Sequence, residues 1–537
     1  MTFPMTFPSD PRAPEHDSPE ESRRFAELQR DLERQFREIF PHRNAPRTVV
    51  VIPSLSMDAE VMAKIAGVHH YEERMLCLLM LLRLPHTRLI FVTSQPVAPA
   101  IIDYYLHLLP GIPGDHARRR LTLLTCHDAS NRPLSEKILE RPRLIQRILR
   151  AVPDRSAAHM TCFSASPLER TLAVRLGLPL YGCDPALGGL GSKSGSRRIF
   201  REAGIGLPDG FEDLRDTEDL VGALAELRAR NPKLRKAVVK LDEGFSGEGN
   251  AVFSYDGAPV SKGGAADLRS WIRQSLAEDL RFEARGQTWE PYRAKLEQMG
   301  GIVESFIDGP RKRSPSVQCR ISPLGHVEMI STHDQVLGGP SGQIFLGSTF
   351  PADRQYRLEI QEAGLRVGEV LKRHGALARY GVDFVSVKHG DTWEHYAIEI
   401  NLRKGGTTHT FLMLQFLTAG SYEIETGLYR IPTGPARYYY ASDNVESESY
   451  RGLTPSDLID IAVENEIHFH GATQQGVMFH LLGALSEFGK LGMVCVADSR
   501  ARAKRLYART VEILDEEARR HVDDDPGRDL VPVRVPL

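Results

Sequence analysis

Two carboxylates and one amide interrupt a pair of apolar segments in the second half of the chain. In "YGVDFVSVKHGDTWEHYAIEINLRKGG" (380–406), Asp383, Glu399 and Asn401 stand in runs whose composition predicts buried β-strands. A hairpin centred on Asp391 would place Asp383 opposite Glu399, with Asn401 on the same face. These oxygen ligands suit Mg²⁺, whose shell substrate phosphates often complete. The alternative is a solvated hairpin face that binds no ion.

A second segment, "VVKLDEGFSGEGNAVF", offers groups that could hold phosphate. Lys240 lies inside an apolar strand, where an unpaired ammonium is costly unless an anion waits there. The turn that follows has backbone N–H groups that can fold over an anion as a mobile lid, at Gly244, Ser246, Gly247 and Gly249. The alternative is a structural turn with no ligand. Lys193 precedes an amphipathic helix and by itself indicates only a solvated lysine.

Two further segments are candidates for binding the base and the substrate. "GIVESFIDGP" predicts a strand that offers backbone at Phe306 and Ile307 to a flat base, with Glu304 near its exocyclic amine; the alternative is an edge strand. Beyond Asn401, a predicted helix N-terminus is a natural seat for a carboxylate, and the alternative there is a capped helix without a ligand. The substrate candidates are Arg320, Arg403, Lys404, Gly405, Gly406 and Thr407.

Length and composition limit the classes of function. A chain of 537 residues predicts several domains, and 68 Lys+Arg against 70 Asp+Glu leave no global charge to attract nucleic acid or an anionic membrane. Six scattered cysteines without a C-x-x-C pair argue against a disulfide framework or a zinc ribbon. No apolar run approaches the length of a membrane span, so we expect a cytoplasmic protein without nucleic-acid or membrane partners.

The elements that must position these residues predict a multidomain α/β and α+β fold. Short β-rich runs alternate with helical patterns before residue 185, as in an open Rossmann-like sheet, and hairpins separated by helices follow. The expected domains are an N-terminal extension (1–44), an α/β domain (45–185), a nucleotide-binding domain (186–425) with its lid subdomain at about 200–305, a small C-terminal α/β domain (426–520) and a tail (521–537). Neither G-x-G-x-x-G after the first strand nor a P-loop occurs.

The order of these pieces resembles the ATP-grasp superfamily. The likeness covers about residues 185 to 420, and "EINLRKGG" is similar to the E-x-N-x-R form of its carboxylase branch. The α/β domain before it looks like a pre-ATP-grasp domain. The segment "HFHGATQQGVMFHLLGALSEFGKLGMVCVADS" resembles the C-terminal domain of the pheganomycin-type peptide ligases.

The resemblance implies a role for each matched residue. Lys193 and Lys240 would hold the phosphates of ATP, Glu304 would contact adenine, and Asp383, Glu399 and Asn401 would bind Mg²⁺. Arg403 would steady the transferred phosphate or an acyl phosphate, so Arg403 and Lys240 are the expected catalytic residues. Many relatives place an acid for the ribose after the hinge strand, whereas this chain has "GPRKR" (309–313), so the ribose contact is unassigned.

The resemblance therefore predicts an ATP- and Mg²⁺-dependent ligase that joins a small-molecule or peptide carboxylate to an amine or amino acid. The open alternatives are an ATP-grasp small-molecule kinase and a non-catalytic ATP-binding regulatory partner. A homodimer is the assembly considered, and the identities of acid and amine are open.

Overall fold

The computed structural model describes residues 14–56, 62–63, 65–244, 249–259, 264–284, 286–338 and 344–523. Ser246 and Gly247 of the predicted lid turn lie outside this part of the chain. The chain divides into two compact units. The first contains Met1–His42, Asp154–Thr408 and Tyr422–Leu428, and the second contains Arg43–Pro153, His409–Ser421 and Tyr429–Leu537. The domain boundaries given above stay a prediction.

Several helices begin at a side-chain cap, such as Ser18 before the first helix and Ser166, which forms a capping box. The helices are α1 (Pro19–Glu38), α2 (Pro99–Leu108), α3 (Gly114–Arg118), α4 (Leu134–Leu139), α5 (Pro142–Ala151), α6 (Pro167–Leu176), α7 (Lys193–Glu202), α8 (Thr217–Arg230), α9 (Gly264–Glu278), α10 (Trp289–Met299), α11 (Arg357–Arg373), α12 (Gly406–Thr418), α13 (Pro455–Glu464), α14 (Leu485–Phe488) and α15 (Arg500–Asp523). Segments of 3₁₀ helix occur at Val68–Arg83, Arg155–Ala157, Pro185–Gly191, Glu448–Gly452 and Leu482–Ala484.

The strands are β1 (Arg47–Ile52), β2 (Thr87–Thr93), β3 (Leu121–Thr125), β4 (Ala158–Cys162), β5 (Gly210–Leu214), β6 (Lys236–Leu241), β7 (Asn250–Ser254), β8 (Arg281–Phe282), β9 (Gly301–Ser305), β10 (Lys312–Arg313), β11 (Pro315–Ile321), β12 (Val327–Gly338), β13 (Ile344–Phe350), β14 (Ala378–His389), β15 (Thr392–Asn401), β16 (Ser421–Glu423), β17 (Leu428–Arg430), β18 (Ala436–Glu446), β19 (Gly476–His480) and β20 (Lys490–Ala497).

The second unit contains parallel and antiparallel strands. Strands β1, β2 and β3 are parallel in the order β3-β2-β1, with Val50 paired to Ile90 and Phe91 to Leu123. All six residues of β1 are buried, which explains its apolar run Val49–Ile52. In the same unit β20 pairs antiparallel with both β18 and β19. The predicted parallel α/β sheet is thus confirmed.

The first unit contains two antiparallel sheets, each with its own core. One has the strand order β5-β9-β6-β7-β8 and packs on apolar side chains of α8, α9 and α10, such as Leu224, Ile272 and Leu296. The other contains β10-β14-β11-β12-β13 with β15 paired to β14, and packs on α7 and α11 through side chains such as Phe200 and Val367. The expected hairpins β6–β7, β11–β12 and β14–β15 are all present.

Within the described ranges, the helices are either too short or too polar to cross a lipid bilayer.

Candidate active site

The hairpin β14–β15 brings the predicted metal ligands together. Asp383 pairs with Glu399, and Gly381 with Asn401, so the three side chains share one face as expected. The position of the turn that produces this register differs from the predicted one. His389 faces Thr392 at the turn, which is therefore centred between Gly390 and Asp391, half a residue before the predicted centre. A bulge between Asp383 and Phe384 then restores the Asp383–Glu399 pair.

Both oxygens of Asp383 are held by side-chain amides. Asn401 Nδ2 donates to Oδ2 at 3.0 Å, and Gln335 Nε2 on β12 donates to Oδ1 at 3.0 Å. Burial raises the pKa of Asp383 to about 7, and the charge of Glu399 adds to the rise. Burial would raise the pKa of Glu399 too, but the nearby positive charges of Lys193, Arg403 and Lys240 together outweigh it, so the Glu399 pKa lies below its usual value. Two carboxylates and an amide fit a hard cation such as Mg²⁺.

Lys193 reaches this face from the N-terminus of α7. Its Nζ lies 2.8 Å from Glu399 Oε1, so the structure joins two residues that the sequence placed 206 positions apart. The helix starts at Ser192, whose hydroxyl accepts from Gly195 N–H at 2.9 Å. A Cβ on Gly195 would lie 1.9 Å from the carbonyl oxygen of Gly189, so only glycine fits this first turn.

Asp242 links the start of α7 to the lid hairpin. Its carbonyl oxygen accepts from Lys193 N–H at 3.1 Å, and its Oδ1 accepts from Ser194 N–H at 2.8 Å. Asp242 directly follows β6, so the strand that carries Lys240 is tied to the helix that carries Lys193. The two described ends of the lid turn lie close together, since a Cβ on Gly244 would lie 3.3 Å from Gly249 N.

Lys240 already has an anionic partner within the protein. Its ammonium forms an ion pair with Glu304 on β9, and Arg197 Nη1 of α7 lies 3.3 Å from the other oxygen of this carboxylate. The anion that the buried ammonium requires is therefore supplied within the protein, by Glu304 on the strand paired with β6. The predicted roles of Lys240 toward phosphate and of Glu304 toward adenine stay predictions.

The strand end predicted to receive the base is partly open. Phe306 and Ile307 follow β9 and are half-buried, and Lys312 Nζ lies 4.7 Å from the centre of the Phe306 ring. Phe306 N–H donates to the carbonyl oxygen of Lys236 at 3.1 Å. The Ile307 carbonyl oxygen lies 3.5 Å from Lys312 Nζ. The roles of Phe306 and Ile307 toward a nucleobase stay predictions.

The predicted substrate residues are only partly brought together. Arg403 follows β15, and its charge lowers the pKa of both Asp383 and Glu399, which places it beside the metal ligands. Lys404 points elsewhere: its Nζ donates to Thr161 Oγ1 at 3.2 Å and to the carbonyl oxygen of Cys162. Arg320 is ion-paired with Glu328 on the neighbouring strand.

The start of α12 is capped from within the protein. Gly405 N–H donates to Thr408 Oγ1 at 2.9 Å, and this hydroxyl donates to Gln318 Oε1 at 2.8 Å. Thr407 is buried in the first turn, and a Cβ on Gly406 would lie 2.9 Å from the Phe345 ring. The capped-helix alternative considered for this segment therefore agrees with these contacts, and a carboxylate seat here stays a prediction.

Sequence reasoning missed three residues of this site: Arg197, Asp242 and Gln335. Arg197 is hidden in the basic run "SRR" of an amphipathic helix, where solvated arginines are expected. Gln335 stands in "THDQVL", a polar group inside a strand, which was the available signal.

Comparison with known proteins agrees with the geometry. A family model described as "IQCH-like, ATP-grasp" matches residues 188–258 and 266–425, and one described as "PGM1 C-terminal domain" matches residues 457–510. L-propargylglycine–L-glutamate ligase of Streptantibioticus cattleyicolor is 33% identical over 476 residues, covering 87% of this chain and 94% of that protein. IQ motif-containing protein H of Danio rerio is 24% identical, and the match covers 88% of this chain and 49% of that protein.

A solved structure shares the fold at low sequence identity. The biotin carboxylase domain of Hydrogenobacter thermophilus 2-oxoglutarate carboxylase, solved with MgADP, ADP and bicarbonate, superposes with a TM-score of 0.50 at 12% identity. The match covers 89% of this chain and 98% of that one. The recognition from sequence is confirmed: the chain belongs to the ATP-grasp family of ligases that includes L-propargylglycine–L-glutamate ligase.

Proposed function

We propose that this ATP-grasp ligase joins the carboxylate of one amino acid or peptide to the amine of another, through an acyl phosphate. The convergence of Asp383, Glu399 and Asn401 with Lys193 on one face of β14–β15 carries the proposal. The 33% identical relative, whose name gives two amino acids as substrates, supports this substrate class.

The reaction mainly requires that the reactants are positioned correctly and that the phosphate charge is neutralised. A carboxylate oxygen attacks the γ-phosphorus of ATP, the bond to the β-phosphate oxygen breaks, and ADP leaves. The amine then attacks the acyl carbon, phosphate departs, and the amine loses its proton. Carboxylates do not couple to amines without such activation because hydroxide is a poor leaving group. Catalysis therefore rests on positioning and on neutralising phosphate charge.

The residues divide this work by their positions. Asp383, Glu399 and Asn401 would hold Mg²⁺, which would supply positive charge to neutralise the phosphates. Lys193, which is ion-paired with Glu399, would turn to phosphate when Glu399 serves as a metal ligand. Arg403, whose planar fork can bridge two oxygens, would contact the phosphoryl group during transfer.

The nucleotide would lie between the two lysine-bearing elements of the first unit. Lys240 would hold phosphate, and the lid turn bearing Gly244, Ser246, Gly247 and Gly249 would cover it. Glu304, Phe306 and Ile307 would receive the base. Cytoplasmic location and assembly as a homodimer remain parts of this proposal.

The test combines a product assay with one variant. ADP release is measured across pairs of amino acids, with hydroxylamine present to trap acyl phosphate as hydroxamate. Arg403→Lys should lower kcat about 10- to 100-fold with little change in ATP affinity, because the contact strengthens toward the transition state. Arg366→Lys, an exposed arginine on α11, is the matched control.

Three results would count against this function. A phosphate ester as product, with no hydroxamate under any condition, would replace the ligase by a kinase. If the protein binds ATP but turns over no amino-acid pair, the ligase activity itself is contradicted. If the wild type is active on a pair and Arg403→Lys has the same kcat, the role of Arg403 is contradicted.

A further inference from the structure

A second group of potential ligands lies in the second unit, apart from the residues discussed so far. His409 on α12, Asp443 on β18 and His480 at the end of β19 form a cluster, called here the His–Asp–His cluster. Their side chains are 2%, 4% and 0% exposed. One ligand atom of each lies within 4.8 Å of those of the other two. Three elements that are distant in sequence therefore supply two imidazoles and one carboxylate to a single buried point.

The distances are close to those of a metal shell. Nε2 of His409 lies 2.9 Å from Asp443 Oδ1, and Nε2 of His480 lies 3.4 Å from the same oxygen. Zinc binds imidazole nitrogen and carboxylate oxygen at about 2.0–2.2 Å, so tetrahedral ligands stand roughly 3.3 Å apart. The His480–Asp443 distance already matches this spacing, and the His409–Asp443 distance would lengthen by about 0.4 Å to admit an ion.

The strongest indication of a bound ligand comes from His480. It is completely buried, yet neither ring nitrogen has a hydrogen-bond partner in the described part of the chain. Leaving a buried polar group without a partner costs about 1–3 kcal/mol. The sheet nevertheless makes room for the ring, because a Cβ on Gly492 would lie 2.0 Å from His480 Cε1. Glycine at the neighbouring position on β20 thus lets an imidazole occupy this point.

A further residue orients the carboxylate. Arg74 Nη2 lies 2.8 Å from Asp443 Oδ2, and the guanidinium stacks 4.1 Å from the centre of the Tyr71 ring. This contact keeps Asp443 ionised and leaves Oδ1 directed at the two histidines. Partners that fix the orientation of metal ligands in this way are usual in protein metal sites.

We infer that the His–Asp–His cluster binds one zinc ion. Imidazole nitrogen with carboxylate oxygen suits Zn²⁺, whereas Mg²⁺ takes oxygen ligands, so this site is chemically distinct from Asp383, Glu399 and Asn401. The ion would connect three separate elements, α12, β18 and β19. The inference does not depend on the proposed function.

The competing arrangement is a metal-free network in which both histidines donate Nε2–H to Asp443 Oδ1. In it, the charges of Asp443 and Arg74 balance, and a divalent ion would be excluded. Nδ1 of both rings has no hydrogen-bond partner among the described residues under either arrangement, so these atoms do not distinguish the two. Direct measurement of the metal content distinguishes the two arrangements.

The experiment uses the full chain, purified without a histidine tag or chelator. Elemental analysis should find about one zinc per chain. Removal of the metal at mildly acidic pH and return of Co²⁺ should give visible absorption typical of tetrahedral cobalt. Returning Zn²⁺ to the metal-free protein should raise the melting temperature, since an ion that binds the native state stabilises it.

Variants locate the ion. His480→Asn should lose the zinc and the cobalt spectrum, whereas His470→Asn, an exposed histidine of the same unit, should retain both. If His480→Asn does not fold, the wild-type metal content and cobalt spectrum still decide. Folded wild-type protein with less than about 0.1 zinc per chain, and with no melting shift on adding Zn²⁺, would overturn the inference in favour of the hydrogen-bonded network.

Discussion

Replacing Glu304 by Gln tests whether the ion cluster between the lid hairpin and α7 is a main source of local stability. The carboxylate lies between Lys240 and Arg197, and all three side chains are less than a tenth exposed. Removing one partner of a buried ion pair costs about 3–5 kcal/mol, because the remaining charge is left buried without compensation. Arg197 keeps Glu212 at 3.2 Å and the carbonyl oxygen of Pro208 at 3.0 Å. We therefore expect the lower value, about 3 kcal/mol.

Hydrogen exchange measures this loss where it occurs, without assuming that a multidomain protein unfolds in one step. Amides of β6 and β9, the strands that carry Lys240 and Glu304, should exchange about 150-fold faster in the variant, which corresponds to about 3 kcal/mol. Glu218→Gln breaks an exposed pair with Arg273 and should change exchange at most about fivefold. If MgATP brings phosphate to Lys240, it should reduce the deficit of the Glu304→Gln protein.

The result that would refute this reasoning is equal protection of β6 and β9 in Glu304→Gln and Glu218→Gln. The buried carboxylate would then contribute no more than a surface one, and the cluster would be relaxed or hydrated in solution. A deficit that MgATP does not reduce would leave the stability argument intact but contradict the role of Lys240 toward phosphate.

Two further predictions concern the metal ligands. Glu399→Gln should lower Mg²⁺ or Mn²⁺ affinity about 10- to 100-fold and sharply reduce turnover while retaining the fold. Glu394→Gln, exposed on the same strand, should change neither the metal affinity nor the turnover. Full activity of Glu399→Gln would contradict the assignment of Glu399 as a metal ligand. Because the metal-free Asp383 pKa is raised to about 7, its protonation favours the folded state, and this stabilisation is lost as pH rises from about 4 through about 7. Mg²⁺ affinity, measured by calorimetry, should therefore increase from pH 6 to pH 8, and an equal increase in Asp383→Asn would rule out this residue as the cause.

Some residues of the site are absent from the predictions because distant elements supply them. The sequence shows that Lys240 lies in an apolar strand, but it does not show that Glu304 pairs with it across β6 and β9. Arg197 and Asp242 look like ordinary solvated or capping residues until α7 and the lid hairpin are assembled, and the polar Gln335 inside β12 does not show by itself that its partner is Asp383. Their roles depend on which residues pack against them, and the local sequence does not reveal those partners.

The predicted metal ligands show which part of the site follows from local sequence and which part depends on tertiary contacts. Alternation along the strands and a turn at Gly390 and Asp391 are local, so the sequence by itself determined that Asp383, Glu399 and Asn401 belong to one hairpin. The register at the turn alone would place Ile398, and not Glu399, opposite Asp383. The bulge that corrects it lies where other segments bind β15: Ala397 N–H donates to Gly206 O at 2.8 Å and Ile400 N–H to Ser196 Oγ at 3.0 Å. Only the tertiary structure decided which residue faces Asp383, because those hydrogen bonds come from segments about 200 residues away.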